Sequence, residues 1–234
     1  MPKYTCLLFD LDDTLLDFKQ ASRTAFQLFY DRYLGETGLS PASAFSFYHD
    51  ANLMVWEMFE QNKISIDELK TRRFEWMYQH AGLPIPHGEL PEQSQFFLDA
   101  LIASTHFLEG AEPLLSQLSS QFKLSVITNG ISYVQHSRLK RLNIGNYFQH
   151  VFISEEIGHS KPSEGFFNHV LDTLMDHPPQ NILVIGDSLN ADIAGALQAG
   201  LDACWFNPTG LENATRHAPH YEIKNWQEFT ALLS

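Results

Sequence analysis

Only two cysteines, Cys6 and Cys204, occur in the 234 residues of the chain, and both lie inside apolar runs that read as strands. Two such residues exclude a disulfide framework and read as reduced core thiols of a cytoplasmic protein. Basic residues are also scarce: 15 Lys and Arg stand against 28 Asp and Glu, a formal charge of -13. Binding a nucleic-acid polymer or an anionic membrane needs clustered cations, so neither partner is expected. Any phosphate handled must then be small and locally compensated. No stretch approaches the roughly 20 apolar residues of a membrane span, and the apolar run within MPKYTCLLFDLDD is too short for a secretory signal. A Walker A run and a G-x-G-x-x-G are missing, so nothing points to a nucleoside triphosphate or dinucleotide cofactor. The 11 His residues show no ligand spacing, which argues against zinc. Internal repeats, low-complexity tracts and long flexible linkers are lacking too.

What is present is led by LLFDLDDTLLDF, residues 7–18, where an apolar run ends abruptly in three aspartates within four positions. Cys6 to Phe9 reads as a fully buried strand, and Asp10, Asp12 and Asp13 follow where it leaves the sheet. In an alternating strand Asp10 and Asp12 point to the same side. At about 4 Å and an effective dielectric near 20, like charges repel by roughly 4 kcal/mol. A bound cation or a proton held by one of the pair relieves that repulsion.

The composition, 44% hydrophobic, supports a sizeable core. Beyond about residue 107, short apolar runs alternate with helical patterns: 123–128, 150–154, 181–186 and 203–206. With a first strand at 4–9 they predict an α/β fold, a doubly wound, Rossmann-like parallel sheet of five strands covered on both faces. Residues 17–106 read almost entirely as helix. Ser40 before Pro41 is a cap and first-turn pair, Ser65 with Glu68 has capping-box spacing, and Gly82 closes the helix that Ser65 opens. The expected organisation is therefore a core of residues 1–16 and 107–234 with a helical cap of residues 17–106 inserted after the first strand. The insert opens just past the acidic cluster and reads as a lid over the edge where open α/β sheets bind ligands.

Four separated pieces carry polar residues at expected strand ends: Asp10 with Asp12; Thr128, Asn129 and Gly130; Lys161 in SKPSEGFF; and Asp187 with Asp192 in IGDSLNAD. Any one of them reads as a helix cap or a solvated charge. Acids, hydroxyl and cation together on one edge of one sheet point to a catalytic site.

In their order along the chain these motifs, DxDxT, TNG, KP and GDxxxxD, resemble the haloacid dehalogenase-like hydrolase superfamily. The resemblance implies phosphoryl transfer through an aspartyl-phosphate. Asp10 would be the nucleophile. Asp12 would protonate the departing ester oxygen and then deprotonate water. Thr14 would brace the region by hydrogen bonding. Thr128, the Asn129 and Gly130 amides and Lys161 would cradle the phosphoryl oxygens. Asp10 and Asp187 with a phosphate dianion outweigh Lys161, so a divalent cation is required, and oxygen-only donors suit Mg²⁺, with Mn²⁺ as the alternative. By resemblance its protein ligands would be Asp10, the Asp12 carbonyl and Asp187, with Asp192 supporting through water or Lys161. Asp13 and Asp17 lie in the same acidic stretch and read equally as members of the site or as turn and helix-start residues only.

An acid two residues after the nucleophile favours a phosphatase over a dehalogenase, because halide leaves without a proton. The cap sequence at 52–77 is similar to those of bacterial house-cleaning pyrimidine 5'-nucleotidases, with Asn62 where the family's turn has Gly. It offers Asn52, Trp56 and Arg73 as substrate contacts, although Trp56, Phe59, Phe74 and Trp76 at near-helical spacing read more readily as packing. The expected substrate is a small phosphate monoester, a nucleoside monophosphate, and the expected state a monomer or weak dimer. A sugar-phosphate or phosphoglycolate-type phosphatase is the alternative on the same core. A phospho-receiver module is remote, because its acidic pair precedes an acceptor on a later strand and it lacks so large a helical insert. An inactive binding protein on this fold is disfavoured by the full complement of acids.

Overall fold

A computed structural model describes residues 3–61 and 63–233. The chain divides into two compact units, with crossings between Asp17 and Phe18 and between Thr105 and His106. Asn62 of the cap turn lies outside the described residues.

The α/β unit holds a parallel sheet of strands β1 (Cys6–Phe9), β2 (Lys123–Thr128), β3 (Phe148–Ile153), β4 (Ile182–Gly186), β5 (Asp202–Phe206) and β6 (Tyr221–Ile223), in the order β3-β2-β1-β4-β5-β6. The sheet thus has six strands where the sequence pattern predicts five. The extra strand, Tyr221-Glu222-Ile223, is short and has a charged centre, so no apolar run marks it. Its pairing with Cys204 to Phe206 places it at the edge.

β1 is central, in register with β2 from Cys6↔Lys123 and with β4 from Cys6↔Ile182. Its four residues alternate between two cores. Leu7 and Phe9 join Leu114, Leu115 and Phe229 on one face, while Cys6 and Leu8 join Phe166, Phe167 and Val170 on the other. Burial of each such side chain favours folding by about 1.5–3 kcal/mol, which accounts for the uninterrupted apolar run. From β1 the chain builds β2 and β3 to one side, then β4 to β6 to the other. The strand order therefore reverses around β1, where doubly wound sheets open a crevice at their carboxyl edge.

The second unit consists of helices α1 (Phe18–Tyr33), α2 (Pro41–Glu60), α3 (Ile66–His80) and α4 (Leu90–Ala103). Ser40 caps α2 by accepting from the Ser43 amide, with Pro41 in the first turn. A complete capping box joins Ser65 and Glu68 at the start of α3. At its end Gly82 takes φ +67°, and the Gly82 and Leu83 amides donate to Gln79 and Tyr78 carbonyls, a Schellman closure. The interior is aromatic: Phe29 stacks on Phe74 at 4.7 Å and Phe26 on Tyr48 at 4.8 Å. The remaining helices of the α/β unit are α5 (Ala111–Leu118), α6 (Ser132–Arg141), α7 (Ser154–Ile157), α8 (Glu164–Thr173), α9 (Ala194–Gln198) and α10 (Trp226–Leu233).

Candidate active site

Asp10 follows β1 directly, and its amide still donates to the Ile185 carbonyl of β4 at 2.9 Å. The chain then makes a tight turn over Leu11 to Leu16, with Asp13 at φ +60°, a conformation a short acid tolerates. That turn brings buried Thr14 back toward β4, where its hydroxyl accepts the Asp187 amide at 3.1 Å. The indole of Trp205 donates to the Asp187 carbonyl at 2.8 Å. The peptide groups flanking Asp187 are thus fixed from the turn after β1 and from β5.

Lys161 does not end a strand. Between β3 and Lys161 stand the short helix α7 and Gly158 at φ +79°, and the loop that follows carries the lysine inward until it is 2% exposed. Asn129 secures that loop: its Nδ2 donates to the Lys161 carbonyl at 2.9 Å and its Oδ1 accepts the Lys161 amide at 2.8 Å. The ammonium donates to Asp10 at 2.7 Å, to Asp192 at 2.6 Å and to the Ile127 carbonyl at 3.0 Å. Asp192 projects from a single π-helical turn, Leu189–Ile193, and its second oxygen accepts the Ser188 amide at 3.1 Å. Asp192 is thus bonded to the Lys161 ammonium and to the backbone that follows β4.

Among the described residues, Asp10, Asp187 and Asp192 each bring a carboxylate oxygen within 4.8 Å of the others. Three carboxylates facing one ammonium carry surplus negative charge, and the donors are all hard oxygens. This set fits a divalent cation. Burial, with the nearby Asp192 and Asp12 charges, pushes Asp10 up to about 7 against the opposing pull of Lys161. For Lys161 burial alone would lower the pKa, but Asp10 and Asp192 outweigh it and raise it, so the ammonium is a fixed charge.

Asp12 turns elsewhere. Its carboxylate accepts from Arg138 and, at 2.9 Å, from Gln135, both on α6. β1 itself ends at Phe9, so Asp10 and Asp12 lie in the turn that follows it. Thr128 ends β2, and its hydroxyl accepts the Gly130 amide at 3.1 Å and the Gln135 side chain at 2.9 Å. Sequence reasoning missed Gln135, Arg138 and Trp205. The available signal was Gln135 and Arg138 three residues apart, on the helix face that also carries Val134 and Leu139.

In the helical unit Arg73 is 3% exposed and lies over the Phe74 and Phe97 rings at 5.1 and 5.0 Å. Its Nε donates to the Lys70 carbonyl at 3.3 Å, whereas Nη2 has no hydrogen-bond partner among the described residues. The same holds for Oδ1 of buried Asn52. Trp56 and Phe59 meet edge-on at 5.7 Å and pack with Trp76 against Val55, Ile64 and Leu69. Phe74 is fully buried, as packing predicts.

The family model for haloacid dehalogenase-like hydrolases matches residues 4–200. The pyrimidine 5'-nucleotidase PynA of Streptococcus pneumoniae is 37% identical, over 98% of this chain and 95% of its own length. The pyrimidine 5'-nucleotidase YjjG of Escherichia coli is 32% identical, over 99% of this chain and 98% of its own. A magnesium-bound crystal structure of the HAD-hydrolase YfnB of Bacillus subtilis superposes with a TM-score of 0.88 at 33% identity, covering 99% of both chains.

Proposed function

Because the chain belongs to the haloacid dehalogenase-like hydrolase family and is a phosphoric monoester hydrolase, we propose that its substrates are pyrimidine nucleoside 5'-monophosphates and its metal Mg²⁺. The observation that carries the chemistry is buried Asp10, held by Lys161 at 2.7 Å within a cluster of three carboxylates. Burial and the neighbouring acids raise the pKa of Asp10. The residue becomes a nucleophile when the carboxylate is offset by positive charge, and Asp10 and Asp187 with the Asp12 carbonyl would hold a cation there. Bound Mg²⁺ supplies charge neutralisation and orients the phosphoryl group.

Asp10 attacks phosphorus as the ester bond breaks, and Asp12 delivers a proton to the departing oxygen. In the second displacement Asp12 takes a proton from water as the bond between Asp10 and phosphorus opens. Thr128, the Asn129 and Gly130 amides and Lys161 receive the phosphoryl oxygens. Asn52, Trp56 and Arg73 read the base. Arg73 Nη2 and Asn52 Oδ1 offer a donor and an acceptor, which supports recognition of a polar, planar group. The similarity to PynA and YjjG supports the pyrimidine preference.

The test is phosphate release from dUMP, dTMP, UMP and phosphoglycolate, with Mg²⁺ and with EDTA. The expected result is metal-dependent turnover, fastest on the pyrimidine nucleotides. Faster release from phosphoglycolate would overturn the substrate, and equal rates in EDTA would overturn the metal.

A further inference from the structure

Arg138, in the last turn of α6, is 1% exposed, which is uncommon for a guanidinium. Its Nη1 donates to one carboxylate oxygen of Asp12 and, at 2.9 Å, to the side-chain carbonyl of Gln135. Gln135, also 1% exposed, donates through Nε2 to the other oxygen of Asp12 and to the Thr128 hydroxyl, both at 2.9 Å. Both oxygens of one carboxylate are thus held by two side chains that are bonded to each other, so the carboxylate plane has little freedom to turn.

The surroundings keep that clamp in place. The Ser132 amide at the start of α6 donates to Glu155 at 2.6 Å, and the Ser132 hydroxyl and His136 ring both meet Glu156. Gly130 leaves room for the clamp: a Cβ there would lie 2.0 Å from Nε2 and 2.6 Å from Cδ of Gln135.

Stability alone is a weak reason for this arrangement. Desolvating an ion pair costs several kcal/mol, and apolar residues of equal volume often stabilise as well. Fixed direction is what an apolar replacement would not supply. We propose that Arg138 and Gln135 are positioning residues that aim Asp12 at the ester oxygen and tie its orientation to the Thr128 end of the phosphate cradle; this rests on the phosphatase reading above. The step they serve moves a proton from Asp12 to the leaving oxygen while the ester bond to phosphorus breaks and the Asp10 bond forms.

The readout is the dependence on leaving group. An alkoxide needs the proton, whereas p-nitrophenolate departs without one, and kcat/KM reports events through phosphoryl transfer. Wild type, Gln135→Met, Arg138→Lys and Asp12→Asn are compared on UMP and on p-nitrophenyl phosphate with Mg²⁺ present. The ratio of the two kcat/KM values is independent of the folded fraction, so a poorly folding variant still reports. Asp12→Asn is expected to lower that ratio by about 10²-fold, and Gln135→Met and Arg138→Lys by about tenfold or more, with inhibition by inorganic phosphate little changed. In the Asp12→Asn background neither substitution should lower the ratio further. Equal losses on both esters would show a merely structural role and overturn the proposal. Wild-type enzyme that releases phosphate from neither ester would overturn the phosphatase reading, and this proposal with it.

Discussion

The side chain of Asn129 grips the peptide of Lys161 from both sides, donating to its carbonyl at 2.9 Å and accepting its amide at 2.8 Å. The two residues are 32 positions apart, and this pair of bonds carries the loop position of Lys161 over to the end of β2.

Asn129→Ala removes both bonds and frees a loop whose lysine is buried. Losing hydrogen bonds to partly buried groups costs about 1–3 kcal/mol. Urea unfolding should show a loss in that range, and the inhibition constant for inorganic phosphate should rise as Lys161 loosens. An unchanged phosphate affinity would separate Asn129 from the cradle.

Asp10→Asn should abolish turnover, since an amide cannot take up the phosphoryl group. It should also change how stability responds to pH. Burial and neighbouring acids raise Asp10 from 3.8 to about 7, so its contribution to stability is fully present below pH 4 and is lost as pH rises through 7. In EDTA, urea unfolding from pH 4 to 8 should show that decline in wild type and a flatter profile in Asp10→Asn. Parallel profiles would exclude Asp10 as the source.

Cys6 and Cys204 are fully buried on opposite faces of the sheet, one in each core, with β4 between their strands. Burial pushes both thiols up to about 12. The thiolate fraction at pH 8 is then about a thousandfold below that of a free thiol. An aromatic disulfide reagent should label neither cysteine in the native protein and both in urea. Rapid native labelling would contradict the core placement of the strands.

Local signals of the fold were legible in the sequence because they are local. The strand 123–128 is marked by its apolar run, the α3 cap by Ser65 and Glu68, its closure by Gly82. Asp10, Thr128, Lys161 and Asp187 could be named because each motif holds its own polar residue. Relations among motifs were not legible. The motif order places Lys161 at a strand end, yet α7 stands between β3 and its loop, and four residues are too few to show helical periodicity. Gln135 and Arg138 carry no signal of their own because their partner Asp12 comes from more than 120 residues away, and the parallel pairing of β1 and β2 brings it to α6. The sixth strand escaped because an edge strand of three residues carries too little apolar character.

Gly186 gives a prediction that rests on space alone. It ends β4, and a Cβ there would lie 2.2 Å from Oδ2 of Asp192, 2.4 Å from its Cγ and 2.6 Å from its Cβ. Those atoms cannot withdraw freely, because Asp192 is 1% exposed and holds Lys161 with one oxygen and the Ser188 amide with the other. Gly186→Ala must therefore displace either the aspartate or the strand. Overpacking of this kind costs about 1–3 kcal/mol, and the displaced carboxylate leaves Lys161 with Asp10 and the Ile127 carbonyl. The variant should unfold at lower urea and lose more activity than Ala substitution at the exposed Gly145, where nothing lies within 4 Å of a Cβ. If Gly186→Ala is as stable and as active as Gly145→Ala, the tight seat of Asp192 is wrong.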